Sequence, residues 1–485
     1  MNDENYVLRK VKSIFRYAFP IKTEEFKLFL PFSLLMFLIL FNTTILKTLK
    51  DTLVITEKNS GAEVLNFLRV FIVVPISFLF VLAYNKACTK LDGRVLFYLI
   101  LSLFSLFFLV FAFIMFPNKD YLHLSHEYIS NLKTIYPKLR WIIPVYGLWT
   151  YSIFYSIADL WCSILLSLLF WQLTNQIIPK QDSKRFYSSF AIIGYFGLIL
   201  GSHVVKKVFN FGSNNFEADL KKIILIILTA NVFIVLIYQM LTNYATKKQA
   251  IVFKPKKDNL SLIESFKLLL QQKQLVYIML LVFCYNFSVN IVEITWKSQL
   301  KHFAHTKSNF AYYSGTVNQM IGYLTIVGGF IANILLNKFK WTVSALITPI
   351  LATITSFTFF AFIFLQQIQI GYLLGFNTLL LSIIFGAVHN VLTKTAKYVF
   401  FDQTKEIAYL NLNEHARTKG KAAIDVAGSR LSKSLSGQVQ ALLLIMLPNA
   451  TQITLYPYIC VILAIILSIW FYAIKKLEQS ADDIR

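Results

Sequence analysis

Three carboxylates stand deep inside long apolar stretches of this chain: Asp159, Glu293 and Asp425. A charge at mid-bilayer costs at least ~2.5 kcal/mol, and such residues normally line a path or a site. Helical spacing gives each of them company. Asn286, Asn290, Glu293 and Lys297 fall at i, i+4, i+7 and i+11, on one helix face. Asp425, Ser429, Ser432 and Ser436 repeat that spacing, with Lys433 one step round and Arg430 close by. Tyr155, Asp159 and Ser163 align on another stretch. Thr43, Lys47 and Lys50 share a face at the end of the first, with Asp51 adjoining, and Asn66 and Arg69 mark the second.

A polar stripe in lipid needs somewhere wet or paired to point. If these faces converge, Lys47, Lys50, Arg69, Arg430 and Lys433 make a cavity that favours an anion, with lysine and arginine clamping phosphate oxygens. The carboxylates then either read a base or ribose, or balance the lysines when the cavity is empty; spacing does not separate those roles. Tyr155 offers a face on which a flat ring stacks. Blander roles compete. Lys47, Lys50 and Asp51 suit snorkelling at a helix end, and Asp425 with Arg430 suits a structural ion pair. His389 suits plain packing, and Gly194, Gly197 and Gly201 suit close helix approach.

The elements that must carry these faces are membrane spans. About 20 apolar residues match the hydrocarbon thickness, and the sequence holds twelve such stretches, near 28–47, 65–84, 95–116, 142–172, 186–205, 223–241, 275–296, 312–336, 341–364, 373–393, 422–446 and 455–473. The chain is 485 residues long and 56% hydrophobic, with 45 Phe and 11 Pro. Continuous runs rather than alternating segments of about 10 residues exclude a β-barrel. The fold class is therefore an all-α membrane protein. Its net charge of +23 would suggest nucleic acid on a soluble protein, but here most Lys and Arg lie between spans. No nucleic-acid partner is expected; the bilayer is.

With both termini in the cytoplasm, the cytoplasmic segments hold most of the Lys and Arg, which fits the positive-inside rule. Basic residues 9–16 precede a run too long for a signal-peptide core, so the first span is expected to be retained. The longest hydrophilic stretch, rich in lysine, lies near the midpoint and divides the spans six and six. The expected domains are 1–241, a basic cytoplasmic linker 242–274, and 275–485. Two parallel six-helix halves about a central site is the major-facilitator layout, with Leu173-Thr174 and Leu392-Thr393 as faint matching landmarks.

Cys88, Cys162, Cys284 and Cys460 show no paired spacing, so neither a disulfide framework nor a metal site is indicated. The segment from Gly428 to Ser434 lacks the second glycine of a phosphate loop and lies in an apolar span. Without a catalytic constellation or an expected cofactor, an enzyme is disfavoured and a transporter favoured. The sequence carries no signal for oligomeric state.

Several longer segments carry a resemblance: residues 45–56, from Ile45 through Lys50 and Asp51 to Thr56; 159–171, from Asp159 to Trp171; 290–297, from Asn290 through Glu293 to Lys297; 401–409; and 419–426 around Asp425. In this order they resemble the nucleotide translocases of obligate intracellular bacteria and plastids, over nearly the whole chain. The resemblance implies a twelve-span carrier of the cell (inner) membrane that takes up host ATP in exchange for ADP. Two alternatives remain: proton-coupled uptake, or exchange of other nucleotides such as GTP, CTP, UTP and their diphosphates. It further implies functional charges at Lys50, Asp159, Glu293 and Lys433. Asp159 stands where the family usually has glutamate, and Lys433 is flanked by serines where the family has glycines.

Overall fold

The computed structural model describes residues 25–88, 90–178, 183–210, 215–247, 272–369, 375, 377–410, 412, 424, 428–447 and 449–482. Among them, helices account for nearly everything. That follows from the solvent: in hydrocarbon each backbone N–H and C=O must find its partner within the protein, and a helix does this within one segment.

Twelve long helices run through the described residues. The first six are α1 (Phe26–Ile55), α2 (Val64–Cys88), α3 (Gly93–Met115), α4 (Trp149–Ile177), α5 (Ser183–Val208) and α6 (Phe216–Lys247). The second six are α7 (Lys273–Ala304), α8 (Lys307–Lys338), α9 (Trp341–Gln367), α10 (Thr378–Tyr409), α11 (Ser429–Met446) and α12 (Tyr456–Asp482). Among the described residues, nine are long and apolar enough to cross a bilayer; α11 is interrupted by Ser, Gln, Arg and Lys.

Several boundaries differ from the sequence reading for local reasons. α1 is 30 residues, about 45 Å at 1.5 Å per residue, and continues past Lys47 because Lys50 and Asp51 are buried inside the protein. The expected span 142–172 is broken at Leu148 (φ −111°, ψ 43°), which separates a short turn, Ile143–Gly147, from α4. α6 continues to Lys247 and α7 starts at Lys273, so the linker's edges are helical. Its residues 248–271 lie outside the described set.

Packing fixes the layout. α5 lies along α1 more extensively than any other pair. A Cβ on Gly197 would meet the Phe37 carbonyl oxygen at 2.4 Å, and one on Gly201 the Phe41 oxygen at 2.8 Å, so the backbones touch where only hydrogen fits. Between the six-helix halves, α5 packs on α8 and α2 on α11. Advancing each helix number by six turns one contact into the other, as a twofold relation between repeats requires.

Four described helices contain a fully described wider π-type turn: Arg69–Val73 in α2, Phe111–Met115 in α3, Leu165–Phe170 in α4 and Lys397–Phe401 in α10. Each shifts the faces beyond it relative to plain i+4 counting. Arg69 opens one such turn, and Lys394 lies one turn before another.

Candidate functional site: a charged knot between the two halves

α1 places Lys47, Lys50 and Asp51 within two turns. Their hydroxylated neighbours are spoken for: Thr43, Thr44, Thr48 and Thr52 each donate to the carbonyl four residues earlier. That leaves the charges to make the outward contacts. Lys50 pairs with Asp159 of α4, and its ammonium lies 4.1 Å from the centre of the Tyr155 ring. Asp51 crosses to the other half, where its Oδ2 meets Lys297 Nζ at 2.8 Å.

Glu293 of α7 gathers three cations. Its Oε1 lies 2.8 Å from Lys297 Nζ and 3.9 Å from Lys47 Nζ, and its Oε2 lies 2.9 Å from Lys394 Nζ of α10. A turn away, Arg69 donates to Asn290 Oδ1 at 2.5 Å, and Asn290 donates to Ser436 of α11. Lys433 lies within electrostatic reach of Asp159, Lys47 and Arg69. The stripes from α1, α2, α4, α7 and α11 therefore do converge.

Exposure separates this group into two kinds. The Lys50 side chain is 8% exposed while that of its partner Asp159 is 45% exposed; Lys433 is exposed and Lys47 is open as well. Within a network shared by both halves, Asp159, Lys47 and Lys433 thus remain accessible to solvent while the others are covered. Six cations (Lys47, Lys50, Arg69, Lys297, Lys394, Lys433) stand against three carboxylates (Asp51, Asp159, Glu293). Such an excess suits a multiply charged anion.

Some expectations change. Tyr155 is fully buried beneath Lys50, so it backs a cation, worth ~0.5–2 kcal/mol, and presents no face to a ring. The helix-end snorkelling role does not fit Lys50 or Asp51, both buried. Asp425 lies outside the described residues, as does the Arg430 side chain. His389 is buried with Nδ1 2.8 Å from Thr355 Oγ1, as packing implied. Sequence reasoning passed over Lys394. It reads as a basic flank at a helix end, yet Asn390, Lys394 and Lys397 follow the same i, i+4, i+7 spacing that singled out Glu293.

At one end of this network the two halves are closed against each other. Lys307 of α8 binds Glu57 at 2.5 Å, Lys301 of α7 donates to the Ser60 carbonyl, and Trp141 Nε1 donates to Ala450 O at 3.3 Å. Gln452, fully buried, ties the halves together: its N–H donates to Glu63 Oε1 at 2.8 Å, its Nε2 to Thr295 Oγ1 at 3.1 Å, and Asn66 donates to its Oε1.

Solved structures with this architecture are transporters. A bacterial homologue of the iron transporter ferroportin in an inward-facing state aligns with a TM-score of 0.63 at 12% identity, covering 94% of this chain and 99% of that one. The nucleoside transporter NupG aligns at 0.54 and 13% identity, covering 93% and 98%. These likenesses establish the major-facilitator-like fold alone. In sequence, the chain is 36% identical to ADP,ATP carrier protein 3 of Rickettsia prowazekii, over 97% of each chain. It is 37% identical to ADP,ATP carrier protein 1 of Rickettsia typhi, over 98% of this chain and 97% of that one. The family model described as TLC ATP/ADP transporter matches residues 2–480, and the chain belongs to that family of multi-pass membrane transporters.

Proposed function

We propose that this protein exchanges nucleotides across the cytoplasmic membrane, taking up ATP against ADP by alternating access, with both termini in the cytoplasm. The positive-inside balance of its loops supports that orientation, and the closed end then faces outward. Residues 1–241 and 275–485 act as the two bodies that rock about the charged network.

The observation that carries this reading is the excess of cations over carboxylates in a partly accessible network shared by both halves. Lys50, Lys433, Arg69 and Lys47 take the polyphosphate, while Asp159 and Glu293 hold those cations in order when no nucleotide is present. Asn290, bridging Arg69 and Ser436, fixes the guanidinium in place. Since ATP and ADP differ by about one charge, exchange responds to membrane potential.

Proteoliposomes loaded with ADP test this directly. Labelled ATP should accumulate only when the lumen contains nucleotide, and an inside-negative potential should slow ATP entry. Uptake indifferent to internal nucleotide and dependent on a pH gradient would replace exchange with proton coupling.

A further inference from the structure

Glu293 is over-subscribed. Three ammonium groups converge on one carboxylate, two from the C-terminal half (Lys297 and Lys394) and one from the N-terminal half (Lys47). A purely structural cluster pairs its charges one to one, because each like-charged neighbour without a partner is costly in a low-dielectric setting. Asp51 takes up part of this excess through Lys297, but Lys394 and Lys47 have only Glu293 among the described carboxylates. Lys47 is the loosest member: it stands 3.9 Å away and its side chain is 38% exposed.

We infer that Lys47, Lys297 and Lys394 form a subsite for the terminal phosphate of the transported nucleotide, which the Glu293 carboxylate occupies while the carrier is unloaded. The subsite deepens the nucleotide-exchange reading and rests on it. The chemistry matches in three respects. A terminal phosphate brings three acceptor oxygens and ~1.5–2 negative charges, so it satisfies three ammoniums better than a carboxylate with two oxygens and one charge. Lysines reach it as point charges on flexible stems, without the fixed fork geometry an arginine would impose. The subsite draws from both halves, so filling it exchanges the Lys47–Glu293 contact for bonds to the substrate. It is separate from Lys50 and Asp159, which pair with each other inside the N-terminal half. A nucleotide reaching from one cluster to the other would be measured by its number of phosphates.

Competition by AMP, ADP and ATP against bound labelled ADP, on purified carrier in detergent, tests the subsite. In the wild type, potency should rise with phosphate number. In Lys394→Gln, the advantage of ATP over AMP should shrink about tenfold, as expected for one charged hydrogen bond, while AMP stays within about twofold of its wild-type potency. Lys394→Arg should recover much of the difference. Glu293→Gln vacates the subsite, so inorganic tripolyphosphate should then compete more strongly than it does against the wild type. Equal weakening of AMP, ADP and ATP in Lys394→Gln would overturn the subsite, and so would weaker tripolyphosphate competition in Glu293→Gln. Should Lys394→Gln not fold, Lys47→Gln is measured the same way. A wild type that binds no nucleotide removes the exchange reading itself, and the subsite with it.

Discussion

Lys50 and Asp51 are neighbours on α1, about 100° apart around the helix, and their ion pairs differ in every respect that matters. Lys50 pairs within its own half with an Asp159 side chain that is 45% exposed. Asp51 pairs across the halves with Lys297, and both side chains are 6% exposed. The first pair can exchange its partner for an anion arriving from water. The second is nearly shut off from water in this conformer, in which it joins the two bodies. One helical turn thus supplies an accessible pair and a buried one, and the proposed roles, binding for Lys50 and coupling for Asp51, follow that difference in exposure.

The sharpest way to break this comparison is to remove the buried member. Asp51→Asn leaves the buried Lys297 to share Glu293 with Lys394 and Lys47, a partial loss of compensation whose upper bound is the ~3–5 kcal/mol of a fully stranded buried charge. The carrier should lose the most thermal stability of any variant considered. Labelled nucleotide should also leak from loaded proteoliposomes into nucleotide-free buffer, because the contact between the unloaded halves is gone. The exchange Asp51→Lys with Lys297→Asp should restore both properties. An Asp51→Asn protein as stable and as tightly coupled as the wild type would remove the pair from that role.

Asp159→Asn is the counterpart at the exposed pair. Asp159 is accessible but its partner Lys50 is buried, so the loss should lie between the ~0–1 kcal/mol of an exposed pair and the ~3–5 kcal/mol of a buried one, and the melting temperature in detergent should fall less than in Asp51→Asn. Nucleotide uptake should nevertheless fall about tenfold or more, since Lys50 loses the carboxylate that orients it. If Asp159→Asn melts as early as Asp51→Asn, exposure is not what distinguishes the two pairs.

How much of this could be read from the sequence depended on local periodicity. The stripe of Asn290, Glu293 and Lys297 was legible because charges in an apolar run are costly and their spacing shows a common face. Its partners were less so. Lys394 follows thirteen mostly apolar residues and looks like a cytoplasmic flank, and nothing short of tertiary packing turns it toward Glu293. The burial of Tyr155 was hidden for the same reason: a helix face shared with Asp159 predicts direction but not what lies on top. The π-type turns leave no local signature either, although one opens at Arg69. An all-helical membrane fold was legible from run length; the closure at Gln452, built from loop residues, was not.

That closure gives an intermediate case. Gln452→Ala would leave Asn66, Thr295 and Gln440 short of partners in a buried interface, at ~1–3 kcal/mol for groups left unsatisfied, while the backbone N–H of residue 452 keeps its bond to Glu63. Binding of substrate should change little, because the residue touches none of the charged knot. Closure should weaken, so a cysteine placed at the buried Ser298 position should react faster with a membrane-impermeant thiol reagent than in the parent protein. Unchanged labelling would mean that the Glu57–Lys307 and Trp141 contacts hold this end without it.

The smallest effect is expected where the closed end meets water, at a cleft of about 230 Å³ lined by Glu57, Asp120, His123 and His126. Burial pushes the His123 imidazole down to about 4, with Lys307 adding to the shift against Glu57 and Asp120. Burial alone would raise the Glu57 carboxyl, but the Lys307 ammonium, with the Lys58 N–H and His126, holds it below its ordinary value. Both groups therefore bind protons less readily in the folded, closed protein than when freed. The stability they lend is full above about pH 6.5 for His123 and above about 4.5 for Glu57, and it falls as acid is added. The melting temperature should decline gently from pH 6.5 toward 4.5. His123→Asn, able to keep a hydrogen bond to Thr150, should flatten that decline and leave only the drop below pH 4.5 that belongs to Glu57. A slope unchanged by His123→Asn would assign the acid sensitivity elsewhere, and the closed end would then owe its closure to uncharged contacts such as Gln452.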